Sequence, residues 1–457
     1  MTVKLQRIRT AAGVAVSAVL IFSACAGSAA TPTPPAAAAS SATVAPSTIA
    51  AASPPASSPV SASSGQAVSI TWSTGPLSNL GLRQQLIQMF EKENSGIQVQ
   101  LVQMPNSTDT QRNTYVTQIS SGSTTPDVYS GDVIWPAQFA NAGLAMPLDQ
   151  YFPSSITSGI IPGGIQADTY QGKLYAVPWF TDAGFLYYRK DLLQKENLPV
   201  PTTWPQLLQE AQTLQSKGDV KYGFVWQGAQ YEGLVCDFVE DLAGAGGNVL
   251  TSSGQVVLNS PQAVKAVSFM RQLITSGVSP QAVTTYQEPE SLNAFLAGDA
   301  AFLRNWPYAW AVSQDPKQSK VVGKVGMAVL PNWSGGVTGP AALGGWNLFI
   351  NPHSQHVDQA VAFIKFLISP EAQQFIALKG GHLPILEAAY NDPQLQAADP
   401  FFALKPTIVS RPSWTPNYAQ LSAKLQVQLH NAITGAETPA AAVAEAAKEI
   451  QQVVSGS

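Results

Sequence analysis

The stretch PWFTDAGFLYYRKDL, residues 178–192, joins two series of predicted strands and helices. Within it Asp182 stands among aromatic residues, where an unpaired buried carboxylate would be costly. The rings belong either to a core beside a solvated acid, or to a ligand site that includes the acid. We expect residues 178–184 to cross from one lobe to another, with Trp179 and Asp182 facing a cleft. Residues 185–188 then predict a strand, and most of the rings are interpreted as core.

Strands and helices alternate on both sides of this crossing, which predicts an α/β fold with a largely parallel sheet. In such sheets ligands bind beyond the carboxyl ends of the strands. Before the crossing we predict strands at 67–72, 97–102, 126–132 and 172–179. After it we predict strands at 222–226, 300–303, 325–331 and 344–351, and helices at 204–217, 232–244, 261–276, 289–298, 356–378 and from 418 almost to 454.

The folded part of the chain holds about 390 residues, which is too many for one ordinary core. We therefore predict two lobes, each built from two pieces of the chain. The predicted first lobe comprises residues 67–178 and 346–380, and the second comprises residues 179–345 and 381–457.

The N-terminus has the layout of a secretory signal peptide, in which a basic start precedes an apolar run at residues 11–22. That run is shorter than the roughly 20 residues that span a bilayer. Its end, LIFSAC, resembles the bacterial lipobox, in which cleavage precedes a cysteine that is then lipid-modified. We predict a lipoprotein signal peptide at 1–24 and lipidation of Cys25. The alternative is a plain signal peptide with an accidental cysteine.

Residues 25–66 begin with the cysteine and otherwise consist almost entirely of Ala, Ser, Thr and Pro. They contain no charged residue and no aromatic ring. Such a segment cannot bury enough apolar surface to fold, so we predict a disordered tether. A lipid anchor followed by a tether would hold the folded part on the extracellular face of a bacterial cell membrane.

Composition excludes several classes of function. The formal net charge is −4 and the folded part has no basic run, which disfavours a nucleic-acid partner. No nucleophile elbow, phosphate-binding loop or zinc-protease motif occurs, and no third ligand accompanies His353 and His356. We therefore expect no enzyme activity, no cofactor and no metal. Cys236 is predicted to be a buried residue of a helix, and it leaves no intrachain disulfide if Cys25 is modified.

What recurs is a Trp or Tyr beside a carboxylate, amide or guanidinium at the ends of predicted elements. A single such pair is ordinarily a packed ring with a polar cap. Repeated pairs favour a carbohydrate cleft, since sugars present C–H faces to rings and hydroxyls to polar groups. The pairs are Asp132 with Trp135, Trp179 with Asp182, Trp226–Gln227 with Tyr231–Glu232, Asn305–Trp306–Pro307–Tyr308, Gly345–Trp346–Asn347, and Arg411 with Trp414.

The order of several segments resembles the extracellular solute-binding proteins (family 1) of carbohydrate ABC transporters, most closely the trehalose/maltose-binding branch. The segments are GDVIWPAQFANAGLAMPLDQY (131–151), PWFTDAGFLYYRKDLLQK (178–195), PTTWPQLLQEAQTL (201–214), GFVWQGAQYEGLVCDFVE (223–240), FLRNWPYAW (302–310), LGGWNLFI (343–350) and SRPSWTPNYAQLS (410–422). The resemblance implies a two-lobed, periplasmic-binding-protein-like (type II) fold. It also implies a sugar such as trehalose or maltose between the lobes, a permease partner and a monomer.

The resemblance also implies which residues contact the sugar. The stronger assignments are Asp132, Asp182, Trp306, Gly344, Gly345, Trp346 and Arg411, and the weaker ones are Trp135, Trp179, Tyr308, Glu232 and Trp414. The first loop, WSTGPLSN (72–79), departs from the branch because it has no acid. Ser73, Thr74 or Asn79 could replace that contact.

Two other classes of function stay open at this point. A secreted glycoside hydrolase would also combine aromatic rings with a carboxylate pair, for which Asp132 and Asp182 are the candidates. An adhesive or structural surface lipoprotein would need no small ligand at all.

Overall fold

The computed structural model describes residues 67–76, 81–335 and 339–456. Outside these residues lie the predicted signal peptide (1–24), the predicted tether (25–66), Cys25 and Asn79.

The strands of the described chain confirm the predicted alternation and add short strands that the sequence pattern did not indicate. Their bounds are β1 (Val68–Thr74), β2 (Ile97–Gln103), β3 (Val128–Asp132), β4 (Thr169–Tyr170), β5 (Lys173–Leu174), β6 (Val177–Ala183), β7 (Phe185–Arg189), β8 (Tyr222–Val225), β9 (Ala300–Asn305), β10 (Val325–Val329), β11 (Pro340–Ile350) and β12 (Thr407–Val409).

The helices begin at the caps that the sequence offers. Thr203, Ser260 and Thr438 each accept a hydrogen bond from a backbone N–H of the following first turn, which also contains a proline. The helices are α1 (Leu82–Glu93), α2 (Thr108–Ser120), α3 (Pro136–Asn141), α4 (Ser154–Thr157), α5 (Pro162–Ala167), α6 (Lys190–Glu196), α7 (Trp204–Ser216), α8 (Glu232–Gly244), α9 (Pro261–Thr275), α10 (Glu288–Leu296), α11 (Tyr308–Ser313), α12 (Val357–Leu367), α13 (Pro370–Gly380), α14 (Pro393–Ala398), α15 (Tyr418–Thr434) and α16 (Pro439–Ser455). Short 3-10 helices span Gln281–Thr285, Glu387–Asn391 and Pro400–Ala403.

The larger sheet has the strand order β12-β11-β3-β1-β2, and β6 pairs with β11. Strands β1, β2 and β3 are parallel, as predicted. Strand β11 is antiparallel to β3 and to β6, so the prediction of a largely parallel sheet is wrong for these strands. The reason is topological. Strands β3 and β6 both end at the same edge of the sheet, and β11 begins at that edge, so it runs in the opposite direction.

The smaller sheet has the order β10-β7-β9-β8. Strands β8 and β9 are parallel, whereas β7 is antiparallel to both β9 and β10. Since β7 starts at Phe185 and β6 ends at Ala183, the chain passes from one sheet to the other within a single stretch. The passage between the sheets is at Gly184, which lies within the stretch predicted to cross, residues 178–184.

Each sheet carries its own apolar core. Trp72, Phe90 and Phe363 are buried against the larger sheet, where their rings meet edge to face. Helices α8 and α9 pack with α15 and α16 around buried residues such as Phe238 and Leu429. This division into two cored halves is what allows a cleft to lie between them.

Among the described helices none is both long and apolar enough to cross a bilayer by itself. Helices α12 and α13 reach that length and composition only as a pair, which is bent by 59°.

Candidate ligand-binding cleft

A cavity of about 520 Å³ is lined by residues from both halves of the molecule. This volume lies within the range of small-molecule sites in proteins. The structure brings most of the predicted site residues to its wall, namely Asp132, Asp182, Glu232, Trp306, Tyr308, Gly344, Gly345, Trp346 and Arg411.

Asp132 is the last residue of β3 and lies at the carboxyl edge of the larger sheet. Its Oδ1 accepts a hydrogen bond from the Ile134 N–H at 3.2 Å, and its Oδ2 accepts one from the Thr108 hydroxyl at 3.2 Å. Arg411 Nη2 lies 3.5 Å from Oδ1. Burial raises the pKa of Asp132 to about 6, although the charge of Arg411 lowers it. The carboxylate still has acceptor capacity for a ligand.

Glu232 is committed to the protein itself. Arg411 donates from Nη1 to Glu232 Oε1 at 2.7 Å and from Nη2 to the Leu343 carbonyl at 2.9 Å. The hydroxyl of Tyr418 donates to the same Oε1 at 2.6 Å, and the hydroxyl of Ser422 donates to Oε2. Glu232 therefore holds Arg411 in position, and its predicted contact with the ligand stays a prediction.

Asp182 lies on β6 and is 7% exposed. Its Oδ1 has no hydrogen-bond partner among the described residues. Burial raises the pKa of Asp182 well above its ordinary value, the charge of Asp132 raises it further, and Arg304 opposes the shift. A buried carboxyl oxygen without a partner costs free energy unless a ligand or water supplies one, so this oxygen is available for recognition.

Two glycines of β11 allow close contacts with the ring of Trp306 and with β6. Gly344 pairs with Asp182 across β11 and β6. A Cβ atom at Gly344 would lie 2.8 Å from the ring of Trp306 and 3.0 Å from Asp182 Cβ. At Gly345, where φ is +127°, a Cβ would lie 2.6 Å from the Phe180 carbonyl oxygen. Only glycine fits both positions without displacing neighbours.

Two half-buried tryptophan rings line the cavity. Trp306 follows β9 and donates from Nε1 to Glu288 Oε1 at 3.3 Å. Trp346 lies on β11, and its ring meets that of Trp135 edge to face at 6.1 Å. Such rings offer flat apolar surfaces beside the carboxylates.

Three predicted tryptophans are not part of this wall. Trp179 was expected to face the cleft, but it is 1% exposed and packs edge to face on Trp72 at 5.1 Å. Trp135 is equally buried and stacks on Phe139 at 5.3 Å. Trp414 is 52% exposed and borders a second cavity of about 690 Å³, whose wall also includes Asp182, Gly344, Gly345 and Arg411. The first two rings are core because they stabilise the larger sheet.

The structure also adds cavity residues that the sequence did not single out. Gln111, Glu288 and His382 line the cavity, together with Phe180 from the crossing strand. Phe180 could have been found, because it lies two residues before Asp182 and successive strand residues alternate in direction. For His382 the sequence carries no signal, since its loop is brought to the cavity by the tertiary fold.

Helix α2 lines the cavity beside Pro76, which belongs to the loop without an acid. Ser73 accepts a hydrogen bond from the Tyr115 hydroxyl at 3.1 Å, and neither Ser73 nor Thr74 lines the cavity. Thr108 and Gln111 of α2 do line it.

Cys236 lies in α8 and is buried, as predicted, and its side chain also lines the cavity. Burial raises the pKa of the Cys236 thiol well above its ordinary value, so the group stays protonated at neutral pH. Within the part of the chain that the structure describes, no cluster of His, Cys, Asp and Glu side chains suits a metal ion.

Polar contacts join the two sides of the cavity. Asn106 donates to Gln287 Oε1 at 3.0 Å. Asp109 Oδ2 accepts from the Glu232 backbone N–H at 3.2 Å and from Gln426 Nε2 at 3.4 Å. Burial raises the pKa of Asp109 to about 6, and the charge of Glu232 adds to that effect. These contacts hold residues from the α2 side against the first turns of α8 and α10.

Known proteins share this architecture. The "Probable ABC transporter-binding protein" of Deinococcus radiodurans is 37% identical over 363 residues, which cover 76% of this chain and 85% of that protein. The "Maltotriose-binding protein" of Pyrococcus abyssi is 26% identical over 277 residues, covering 59% of this chain and 57% of that protein.

Solved structures give the same result. "Maltose bound T. maritima MalE3" superposes with a TM-score of 0.79 at 41% identity, covering 84% of this chain and all of that chain. A solute-binding protein of Agrobacterium radiobacter K84 in complex with ribitol superposes with a TM-score of 0.75 at 26% identity, covering 85% and 99% of the two chains. Residues 78–374 match the family described as "Bacterial extracellular solute-binding protein". The two-lobed α/β chain therefore belongs to the bacterial extracellular solute-binding protein family.

Proposed function

We propose that this protein captures a sugar in the cavity and delivers it to an ABC importer. The observation that carries the proposal is the meeting of two half-buried tryptophan rings with an unpartnered carboxyl oxygen in one cavity. These groups are Trp306, Trp346 and Asp182. A disaccharide or oligosaccharide such as maltose or trehalose is the proposed ligand, and the likeness to a maltose-bound protein at 41% identity supports it.

The chemistry of the wall suits a sugar. The indole faces would pack on the C–H faces of sugar rings, while Asp132 and Asp182 would accept hydrogen bonds from hydroxyls. The pKa of Asp132 is about 6, so this carboxyl is largely ionised at neutral pH, and hydrogen bonds to a charged group are roughly twice as strong as neutral ones. Arg411 lines the same wall, and its Nε has no hydrogen-bond partner among the described residues. A hydroxyl oxygen could accept from it.

Capture would proceed by closure of two lobes around the ligand. The proposed lobes are those predicted from the sequence, residues 67–178 with 346–380 and residues 179–345 with 381–457. The contacts of Asn106 with Gln287 and of Asp109 with α8 join residues of the two proposed lobes, so they would form on closure. A permease could then distinguish the closed, loaded protein from the empty one.

The proposed function is binding without turnover. The rival is a glycoside hydrolase that uses Asp132 and Asp182, whose carboxyl groups would have to stand about 5–5.5 Å or 6.5–9.5 Å apart across the bond.

Isothermal titration of the purified protein with maltose, trehalose, maltotriose and ribitol tests the proposal. We expect saturable binding of at least one di- or oligosaccharide, and recovery of that sugar unchanged after long incubation. A complete lack of binding would contradict sugar capture, and appearance of cleaved sugar would establish the hydrolase instead.

We also propose that Cys25 carries the lipid anchor that holds the protein on the outer face of the membrane as a monomer. Two observations support the anchor: the lipobox-like sequence LIFSAC and the extracellular character of the family. Mass spectrometry of the mature N-terminus and fractionation of a Cys25→Ser variant test it. The variant should appear in the medium, and unchanged membrane retention would contradict the anchor.

A further inference from the structure

His382 occupies a distinctive position in the wall of the cavity. It follows α13 and is 2% exposed, yet its side chain lines the cavity. Its ring lies 4.2 Å from that of Phe180 and 6.5 Å from that of Tyr308, measured between centroids. Backbone pairing fixes the loop, because the Thr181 N–H donates to the Leu383 carbonyl at 3.0 Å. The imidazole is therefore held in place before any ligand arrives.

Neither ring nitrogen of His382 has a hydrogen-bond partner in the described part of the chain. Burial lowers the pKa of His382 to about 3, and the nearby charge of Arg83 adds to this, so the ring is neutral at physiological pH. A neutral imidazole has one N–H donor and one acceptor nitrogen. Leaving both unpaired in a buried position costs free energy that a suitable ligand group would recover.

A hydroxyl group can pair with either ring nitrogen, since it can donate to the acceptor nitrogen or accept from the N–H. An ammonium group offers only donors and a carboxylate only acceptors. Another unpartnered group of the cavity is Asp182, which lies on the strand that pairs with the Leu383 segment. Phe180 joins the two groups, because its ring contacts that of His382 and it lies two residues before Asp182 on β6.

We propose that His382 is a specificity-determining residue that hydrogen-bonds to one hydroxyl of the sugar unit lying against Phe180 and Tyr308. This inference rests on the proposed function and extends it, because it assigns the selection of one hydroxyl to a single side chain. Sugars that lack this hydroxyl bind more weakly, and the difference depends on His382.

The test compares His382→Phe, which keeps a flat ring without nitrogen, with His382→Gln, which keeps a donor and an acceptor. The exposed His353→Phe variant is the control. Affinities are measured by isothermal titration for the best-binding sugar of the panel and for its monodeoxy derivatives. We expect His382→Phe to lose about tenfold in affinity, the scale of one hydrogen bond, and His382→Gln to lose less.

The deoxy series gives the sharper result. One derivative should bind the native protein about tenfold more weakly than the parent sugar, yet bind native protein and His382→Phe equally. Unchanged affinity in His382→Phe, or an equal loss for every derivative, would overturn the inference while leaving sugar capture intact. Failure of the native protein to bind any sugar would overturn the proposed function and this inference with it.

Discussion

The guanidinium carbon of Arg304 lies 4.1 Å from the ring centroid of Trp306, so one face of the indole rests on a cation. Arg304 is itself fixed by Glu240, which accepts at 2.9 Å from Nε and at 2.6 Å from Nη2. Glu240 also accepts from the Ala342 N–H at 2.9 Å, on the strand that returns to the larger sheet. The ring is thus positioned before ligand binding, and this preorganisation lowers the entropic cost of binding.

We expect Trp306→Ala to weaken sugar binding by about 30-fold or more. Aromatic residues at the centre of a binding site commonly contribute about 2 kcal/mol or more, and about 1.4 kcal/mol corresponds to tenfold in affinity. Isothermal titration measures the loss. Trp310→Ala is the matched control, because Trp310 is also half-buried but packs in the core of the smaller sheet. Equal losses in the two variants would show that Trp306 is structural.

Asp182 links stability to binding. The pKa of its carboxyl is raised in the folded protein, so the folded state favours the protonated form. Stability is therefore highest below the unfolded pKa and falls as pH rises through the folded value. We expect Asp182→Asn to raise the melting temperature of the ligand-free protein at pH 7 and to change it little at pH 4, while sugar binding weakens.

Calorimetric melting at the two pH values measures this prediction, and titration at pH 7 measures the binding. Gln111 provides the control, because Gln111→Leu alters a neutral polar side chain of the same cavity. A lower melting temperature of Asp182→Asn at pH 7 would mean that the ionised carboxylate stabilises the empty fold.

The sequence predicted the architecture better than the orientation of individual rings. Trp179 and Asp182 are three residues apart on β6, so alternation sends them to opposite faces of the sheet. The ring joins the core and the acid joins the cavity. Proximity along the chain was taken as proximity in space, whereas the period of the strand separates the two side chains and brings Phe180 beside Asp182 instead.

Contacts between side chains that are distant in sequence could not be predicted, for a different reason. Glu232 and Arg411 are 179 positions apart, and their contact depends on how α8 packs against the segment before α15. A carboxylate predicted to bind ligand was therefore found to accept three hydrogen bonds from protein groups. His382 likewise reaches the cavity only through the pairing of its loop with β6.

The buried ion pair of Glu232 with Arg411 predicts the effect of Glu232→Gln on stability. Removing one partner of a buried charge pair typically costs about 3–5 kcal/mol, because the remaining charge is left without compensation. We expect Glu232→Gln to lower the free energy of unfolding by about 3 kcal/mol, measured by urea denaturation. Glu288→Gln, a half-buried carboxylate that accepts from Trp306, should lower it far less. An unchanged unfolding curve with abolished sugar binding would make Glu232 a direct ligand contact.

The adjacent glycines of β11 should respond differently to the same added methyl group. At Gly344 a Cβ would meet the ring of Trp306 at 2.8 Å and Asp182 Cβ at 3.0 Å, so the added methyl group would displace side chains of the cavity wall. At Gly345 it would meet the Phe180 carbonyl oxygen at 2.6 Å and Thr181 Cα at 2.9 Å, and this backbone belongs to the crossing strand. We expect Gly344→Ala to weaken sugar binding about tenfold with little loss of stability. We expect Gly345→Ala to destabilise the fold by about 3 kcal/mol.

Gly246→Ala separates the clash from backbone strain. Gly246 also has a positive φ, +80°, but nothing lies within 4 Å of its Cβ position. Its substitution should therefore cost about 1 kcal/mol, the strain of the left-handed conformation alone. Urea denaturation of the three variants gives the comparison. If Gly345→Ala costs no more than Gly246→Ala, the crossing strands yield to the added methyl group, and the close approach of β11 to β6 is not what requires glycine there.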